Sequence, residues 1–253
     1  MSGGIGELSL QPGEVQVWML DREALEGLSQ QANATLDGDE VSHSRRLLDP
    51  RQAQLWLGRR VALRRLMAAY MGLAPDDLRI QRGGGLKPCL APGQTGPRFS
   101  VSSSGDWMGA AFSQDEVGLD LELVRDDIAW EGLEERFFNE AERGWVARQP
   151  NAACRQQGCF QVWTRKEAQL KLRGLGLAGL ETLRQAEGLG RCWVEDLTLP
   201  LPLVGTLALD RAPAWLKVRR WPAPQAEVPN ALKRSTMPGA SGPRPMLQSL
   251  NSP

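Results

Sequence analysis

Apolar and polar positions along this chain change period several times, and each change predicts an element. Val15 to Leu20 reads as a strand and Arg22 to Gln31 as a short helix. Asp49-Pro50 opens a longer helix, since proline is tolerated in a first turn; it runs from Arg51 to Met71 and stops at Gly72. Phe99 to Ser102 and Trp107 to Phe112 read as two strands joined by the hairpin-like turn Ser103-Ser104-Gly105-Asp106. Val117 to Val124 alternates strictly, so Leu119, Leu121 and Leu123 share one strand face while Asp120 and Glu122 share the other. A helix is expected over Leu133 to Ala147 and another over Phe160 to Gly176. Cys192 to Leu199 and Leu203 to Leu209 suit a closing hairpin, and Trp215 to Trp221 a last strand.

This order suggests two similar α+β halves meeting near Gln114, with residues 1–114 in one and 115–222 in the other. Beyond Trp221 the composition turns to Pro, Ser, Gly and Asn, which predicts a disordered tail over 223–253.

The helix expected at Phe160 to Gly176 puts charge where a core should be. At about 100° per residue, Phe160, Trp163, Thr164, Glu167, Leu170 and Lys171 share one face. Arg165, Lys166, Gln169 and Arg173 fall on the other. A carboxylate and an ammonium in an apolar stripe are costly unless paired with each other or with a ligand. Glu167 and Lys171 stand at i, i+4, so a structural ion pair and a functional site both fit.

Composition narrows the chemistry. Thirty basic residues balance thirty acidic ones in 253, so no global field draws the chain to nucleic acid or to a membrane. No apolar run is long enough to span a bilayer, and the N-terminus lacks a basic-then-apolar leader pattern. The four cysteines form no Cys-x-x-Cys pair, and a single His43 excludes His-rich metal sites. A reduced, cytoplasmic protein with oxygen-ligand chemistry is expected.

Asp120 and Glu122, about 7 Å apart along one strand face, can hold a hard divalent cation if a third oxygen ligand joins them. The same pattern suits the solvent face of an ordinary antiparallel strand. If Glu167 met them, three carboxylates would make a magnesium-like site, with Lys166 and Lys171 supplying charge for a phosphate. Arg82 to Pro88 could be a glycine-rich anion loop or a flexible surface loop; it lacks the P-loop arrangement. Ser102-Ser103-Ser104 offers hydroxyls and amides to an anion, although serine-rich turns are common.

Taken in order, these pieces resemble the 4′-phosphopantetheinyl transferases, in particular the larger monomeric type that activates surfactin synthetase. The resemblance extends from about residue 40 to about residue 180. It rests on Val117-Gly118-Leu119-Asp120-Leu121-Glu122, on Trp163-Thr164-Arg165-Lys166-Glu167-Ala168 with Lys171 and Gly174-Leu175-Gly176-Leu177, and on Arg136 to Glu142 with its Phe137-Phe138. Lys87-Pro88 and the stretch Phe99 to Trp107 add to it.

The resemblance implies two pseudo-symmetric α+β halves with coenzyme A in the cleft between them. It implies transfer of the phosphopantetheine arm to a serine of an apo carrier protein (acyl, peptidyl or aryl), with release of adenosine 3′,5′-bisphosphate. Asp120, Glu122 and Glu167 would bind Mg2+, or Mn2+ in its place. Glu167, Lys171 and Asp120 would be catalytic. Arg45, Arg46, Lys87, Pro88, Ser102, Ser103 and Lys166 would contact coenzyme A, in a monomer. Ser100 and Ser103 stand where the family usually has Asn and His, which implies altered coenzyme A contacts. That departure motivates an alternative expectation, a non-catalytic binder of coenzyme A or carrier protein.

Overall fold

The structure, a computed structural model, describes residues 5–82, 87–176, 179–184 and 191–221. Positions 83–86 of the glycine-rich loop, position 177 of the Gly-Leu-Gly-Leu motif and the expected tail lie outside the described residues. Strand β1 (Glu14–Leu20) leads into helices α1 (Arg22–Ser29), α2 (Ala32–Thr35), α3 (Gly38–Ser44) and the long α4 (Pro50–Met71). Asp49 caps α4 by accepting from the Arg51 N–H, and Gly72 ends it at φ 65°, a left-handed conformation that glycine adopts freely. The short hairpin β2 (Ile80–Arg82) and β3 (Pro88–Leu90) follows, then β4 (Arg98–Ser104), β5 (Trp107–Ser113) and β6 (Val117–Leu123). Next come α5 (Trp130–Phe137), α6 (Glu140–Ala147), α7 (Ala152–Leu172), α8 (Leu180–Arg184), β7 (Trp193–Asp196), β8 (Leu203–Leu209) and β9 (Trp215–Arg220).

The result is a mixed helix-and-sheet fold, as expected. One sheet has the order β4-β5-β1-β9 and a second the order β6-β8-β7. The last strand therefore returns to the first sheet, where β9 pairs in parallel with β1. Sheet membership thus crosses the division at residue 114 that the element order suggests.

Alternation along β1 explains the layering. Trp18 and Leu20 pack with Leu25, Leu63 and Leu66 of α1 and α4, while Val15, Val17 and Met19 pack with Leu119, Leu121 and Leu207 of the second sheet. Both faces of β1 are covered, so the whole strand is buried. The far face of the second sheet is covered by α7. Gly118 makes that approach close: a Cβ there would lie 1.9 Å from the Ala168 carbonyl oxygen and 2.6 Å from the Leu172 nitrogen.

Two helices differ from the sequence expectation. The helix expected over Leu133 to Ala147 is broken at Phe138-Asn139, because Asn139 caps α6 in a reciprocal capping box with Glu142. Helix α7 begins at Ala152, where Asn151 caps it, and it is not one-sided. It lies between the second sheet and α6, so Lys166 and Gln169, expected on its outer face, are buried as well. Among the described residues no helix is long and apolar enough to cross a membrane.

Candidate active site

Strand β6 is an edge strand of its sheet, and edge strands carry unpaired backbone groups. Here the edge is closed by side chains of β4. The N–H groups of Leu119, Leu121 and Leu123 donate to the hydroxyls of Ser100 (3.0 Å), Ser102 (3.1 Å) and Ser104 (2.9 Å). Two of these hydroxyls pass their own proton onward, Ser102 to Asp120 Oδ1 at 2.8 Å and Ser104 to Glu122 Oε2 at 2.7 Å.

The acidic face of β6 is turned to α7, not to solvent, and Asp120 is only 4% exposed. Lys171 crosses from α7 to donate to Asp120 Oδ1 at 2.7 Å and to Ser102 Oγ at 3.0 Å. Asp120 Oδ2 and Glu167 Oε1 are buried without a hydrogen-bond partner. Desolvation, reinforced by the charges of Asp120 and Glu122 and opposed by Lys171, pushes the Glu167 carboxyl up to about 7. Burial and the charge of Asp120 also raise Glu122, against the hydrogen bond from Ser104.

Asp120, Glu122 and Lys171 line a cavity of about 380 Å³ together with Arg59, Arg60 and Ser103. Arg59 was missed by sequence reasoning. Its guanidinium donates to the Gly105 carbonyl at 2.6 Å, its Nε is buried without a partner, and burial lowers its pKa. No carboxylate forms an ion pair with it among the described residues. Arg60 is paired instead with Glu40 of α3. The spacing of Arg59 from Arg51, two helical turns along α4, was the available signal: both reach the β4–β5 turn, where Arg51 pairs with Asp106 at 2.7 Å.

Other expected residues lie elsewhere. Lys166 is 2% exposed and its Nζ is 2.9 Å from Glu142, on the α6 side of α7. Lys87 donates to the Val117 carbonyl at 2.8 Å, its pKa lowered by burial, and with Pro88 it lines a second cavity of about 590 Å³. Arg45 and Arg46 are exposed in the turn after α3.

The donor set is that of a hard divalent cation: three carboxylates coupled through their charges, two of them with an orphaned buried oxygen. As they stand, with Lys171 on Asp120 and Ser104 on Glu122, they do not close into a ready-made ligand cluster among the described residues.

Comparison with known proteins decides the family. A model of the 4′-phosphopantetheinyl transferase superfamily matches residues 116–195, from β6 through α7 to β7. The 4′-phosphopantetheinyl transferase psf-1 of Bacillus pumilus is 32% identical over 188 residues, 72% of this chain and 76% of that protein. The chain belongs to the 4′-phosphopantetheinyl transferase superfamily. The transferase HetI of Nostoc sp. is 28% identical over 211 residues, covering 82% of this chain and 83% of that protein. AcpT of Salmonella typhi, also a 4′-phosphopantetheinyl transferase, is 32% identical over 151 residues, 57% of this chain and 73% of that protein. This transferase therefore carries its acidic strand and its Glu167–Lys171 helix within the matched segment.

Proposed function

We propose that this transferase moves the 4′-phosphopantetheine arm of coenzyme A onto a serine hydroxyl of an apo carrier protein (acyl, peptidyl or aryl), releasing adenosine 3′,5′-bisphosphate. The observation that carries the reading is the meeting of Asp120, Glu122 and Lys171 with Arg59 in one cavity, beside a Glu167 carboxyl held at about 7. An acidic cluster alone would repel a diphosphate. The two cations beside it make the cavity suited to an anion that arrives with a divalent metal.

In this reading Glu167 accepts the proton of the carrier serine, directly or through water, as its oxygen attacks the phosphorus that bears the pantetheine arm. The bond from that phosphorus to the bridging oxygen breaks, and the bisphosphate leaves with the electron pair. A divalent cation held beside the Glu167 carboxyl would keep it ionised and so able to accept a proton. Lys171 and Arg59 face the charge that builds on the diphosphate, and Ser103 adds a neutral donor where the family usually has histidine. Asp120, Glu122 and Glu167 would hold Mg2+ or Mn2+, which when bound draws charge from the diphosphate oxygens.

The second cavity, with Lys87 and Pro88, and the exposed Arg45 and Arg46 are read as further coenzyme A contacts. Residues up to 114 then supply mainly nucleotide contacts and residues 115–222 the carboxylates. The similarity to psf-1 supports the surfactin-synthetase-activating type, and a monomer goes with that reading.

The test is incubation of apo acyl, peptidyl and aryl carrier proteins with coenzyme A, Mg2+ and this chain, read by intact mass. Gain of one phosphopantetheine arm on at least one carrier is expected. No mass gain across the panel would overturn the reading.

A further inference from the structure

We propose that Ser102 and Ser104 are positioning residues, whose hydroxyls fix the orientation of Asp120 and Glu122 for cation binding. The proposal rests on the reading of Asp120, Glu122 and Glu167 as the cation ligands.

The argument is one of hydrogen-bond capacity. A serine hydroxyl has one proton to donate and two lone pairs to accept with. Ser102 Oγ accepts from the Leu121 N–H and from Lys171 Nζ, so both lone pairs are committed. Its single proton goes to Asp120 Oδ1. Ser104 Oγ accepts from the Leu123 N–H and gives its proton to Glu122 Oε2. Each hydroxyl is anchored on backbone of the same strand that carries the carboxylate. Backbone and side chain of β6 are thus tied to one fixed oxygen, which restricts rotation of the acid.

The third rung supplies an internal control. Ser100 Oγ accepts from the Leu119 N–H in the same register, and Ser100 is fully buried. The position corresponding to Asp120 and Glu122 is Gly118, which has no carboxylate and must remain glycine to admit α7. Ser100 therefore closes the strand edge and positions nothing. The three serines share one structural duty, while only two act on an acid.

The Ser102 hydroxyl is consequently unavailable as a phosphate donor while these bonds persist. Ser103, which is exposed and lines the cavity, is the serine of this turn free to meet a ligand.

The experiment titrates Mn2+ into the full-length chain with coenzyme A present, free Mn2+ being read by electron paramagnetic resonance. Melting temperature is measured on the same samples. Outer-sphere hydrogen bonds of this kind change metal affinity by about 10–100-fold. Ser104→Ala should weaken Mn2+ binding by about tenfold, Ser104→Thr should restore it, and Ser100→Ala should lower only the melting temperature. If Ser104→Ala does not fold, Ser104→Cys, which keeps the volume and removes the strong donor, takes its place. Equal Mn2+ affinity in the Ser104 and Ser100 variants overturns the positioning role and leaves the cation site standing. Absence of Mn2+ binding by the unaltered chain overturns both.

Discussion

Lys171 reaches across from α7 to Asp120, at 2.7 Å, and not along its own helix to Glu167. The i, i+4 spacing that makes Glu167 and Lys171 look like an intrahelical pair therefore gives no hydrogen-bonded ion pair, although the Lys171 charge still lowers the Glu167 pKa. Glu167 keeps a buried oxygen without a partner, and Asp120 keeps another. An arrangement built for stability alone would have paired them, because a buried polar atom left unsatisfied costs about 1–3 kcal/mol. The proposed transferase site uses that deficit to receive a cation.

Glu167→Gln should stabilise the metal-free chain at high pH while abolishing transfer. The folded carboxyl is held at about 7 against an ordinary value of 4.5. Between those values the folded chain keeps a proton that the unfolded chain has lost, so stability falls as pH rises through this window. Removing the group removes that slope. With chelator present, the variant should melt several degrees above the unaltered chain at pH 8, with the gap closing toward pH 4. A lower melting temperature at pH 8 would mean that Glu167 is a structural ion-pair partner.

Gly118→Ala should damage both fold and site. The added Cβ would meet the Ala168 carbonyl at 1.9 Å, forcing α7 away from β6 and separating Lys171 from Asp120. A cost of roughly 3 kcal/mol is expected, at the upper end of overpacking, with loss of transfer. Gly58→Ala makes a similar clash, 2.1 Å from the Leu25 carbonyl, but between α1 and α4. It should lose stability while its folded fraction keeps kcat. Retained transfer in the Gly118 variant would show that the α7–β6 spacing is not critical.

Lys166→Met should leave Glu142 as an uncompensated buried charge, at a cost of about 3–5 kcal/mol. Adding Glu142→Gln removes that charge and keeps the acceptor that caps α6. Denaturant melts should show most of the loss recovered in the double variant, with KM for coenzyme A unchanged. A large rise in KM would return Lys166 to the nucleotide site.

Arg59→Gln should raise KM for coenzyme A by about tenfold, equivalent to 1.4 kcal/mol, and weaken the dependence of KM on salt. Its guanidinium is the cavity cation of α4 that makes no ion pair among the described residues, Asp106 acting on it only at longer range, whereas Arg60 is paired with Glu40. Steady-state kinetics at two salt concentrations would check this. An unchanged KM would exclude Arg59 from coenzyme A binding.

The strands and the long helices were legible because their signals are local. Alternation assigned Leu119 and Leu121 to the core and Asp120 and Glu122 to the opposite face of β6, and Asp49-Pro50 with Gly72 bounded α4 to within a residue. The break between α5 and α6 was also written locally, in Asn139 and Glu142, but apolar periodicity alone overlooked it. Lys166 was misjudged for one reason. A helical wheel separates an inner from an outer face, and α7 has no outer face once α6 lies against it.

By itself the sequence determined the elements, the family motifs and the side of β6 on which the acids lie, because these depend on period and spacing. Only the tertiary structure decided which charges meet. Asp120 and Lys171, 51 positions apart, are joined by the docking of α7 on β6. Ser102 and Ser104 reach their carboxylates because the edges of β4 and β6 run side by side. Pairing across elements follows from close approach, here permitted by the missing side chain of Gly118, and close approach has no period that a sequence can display.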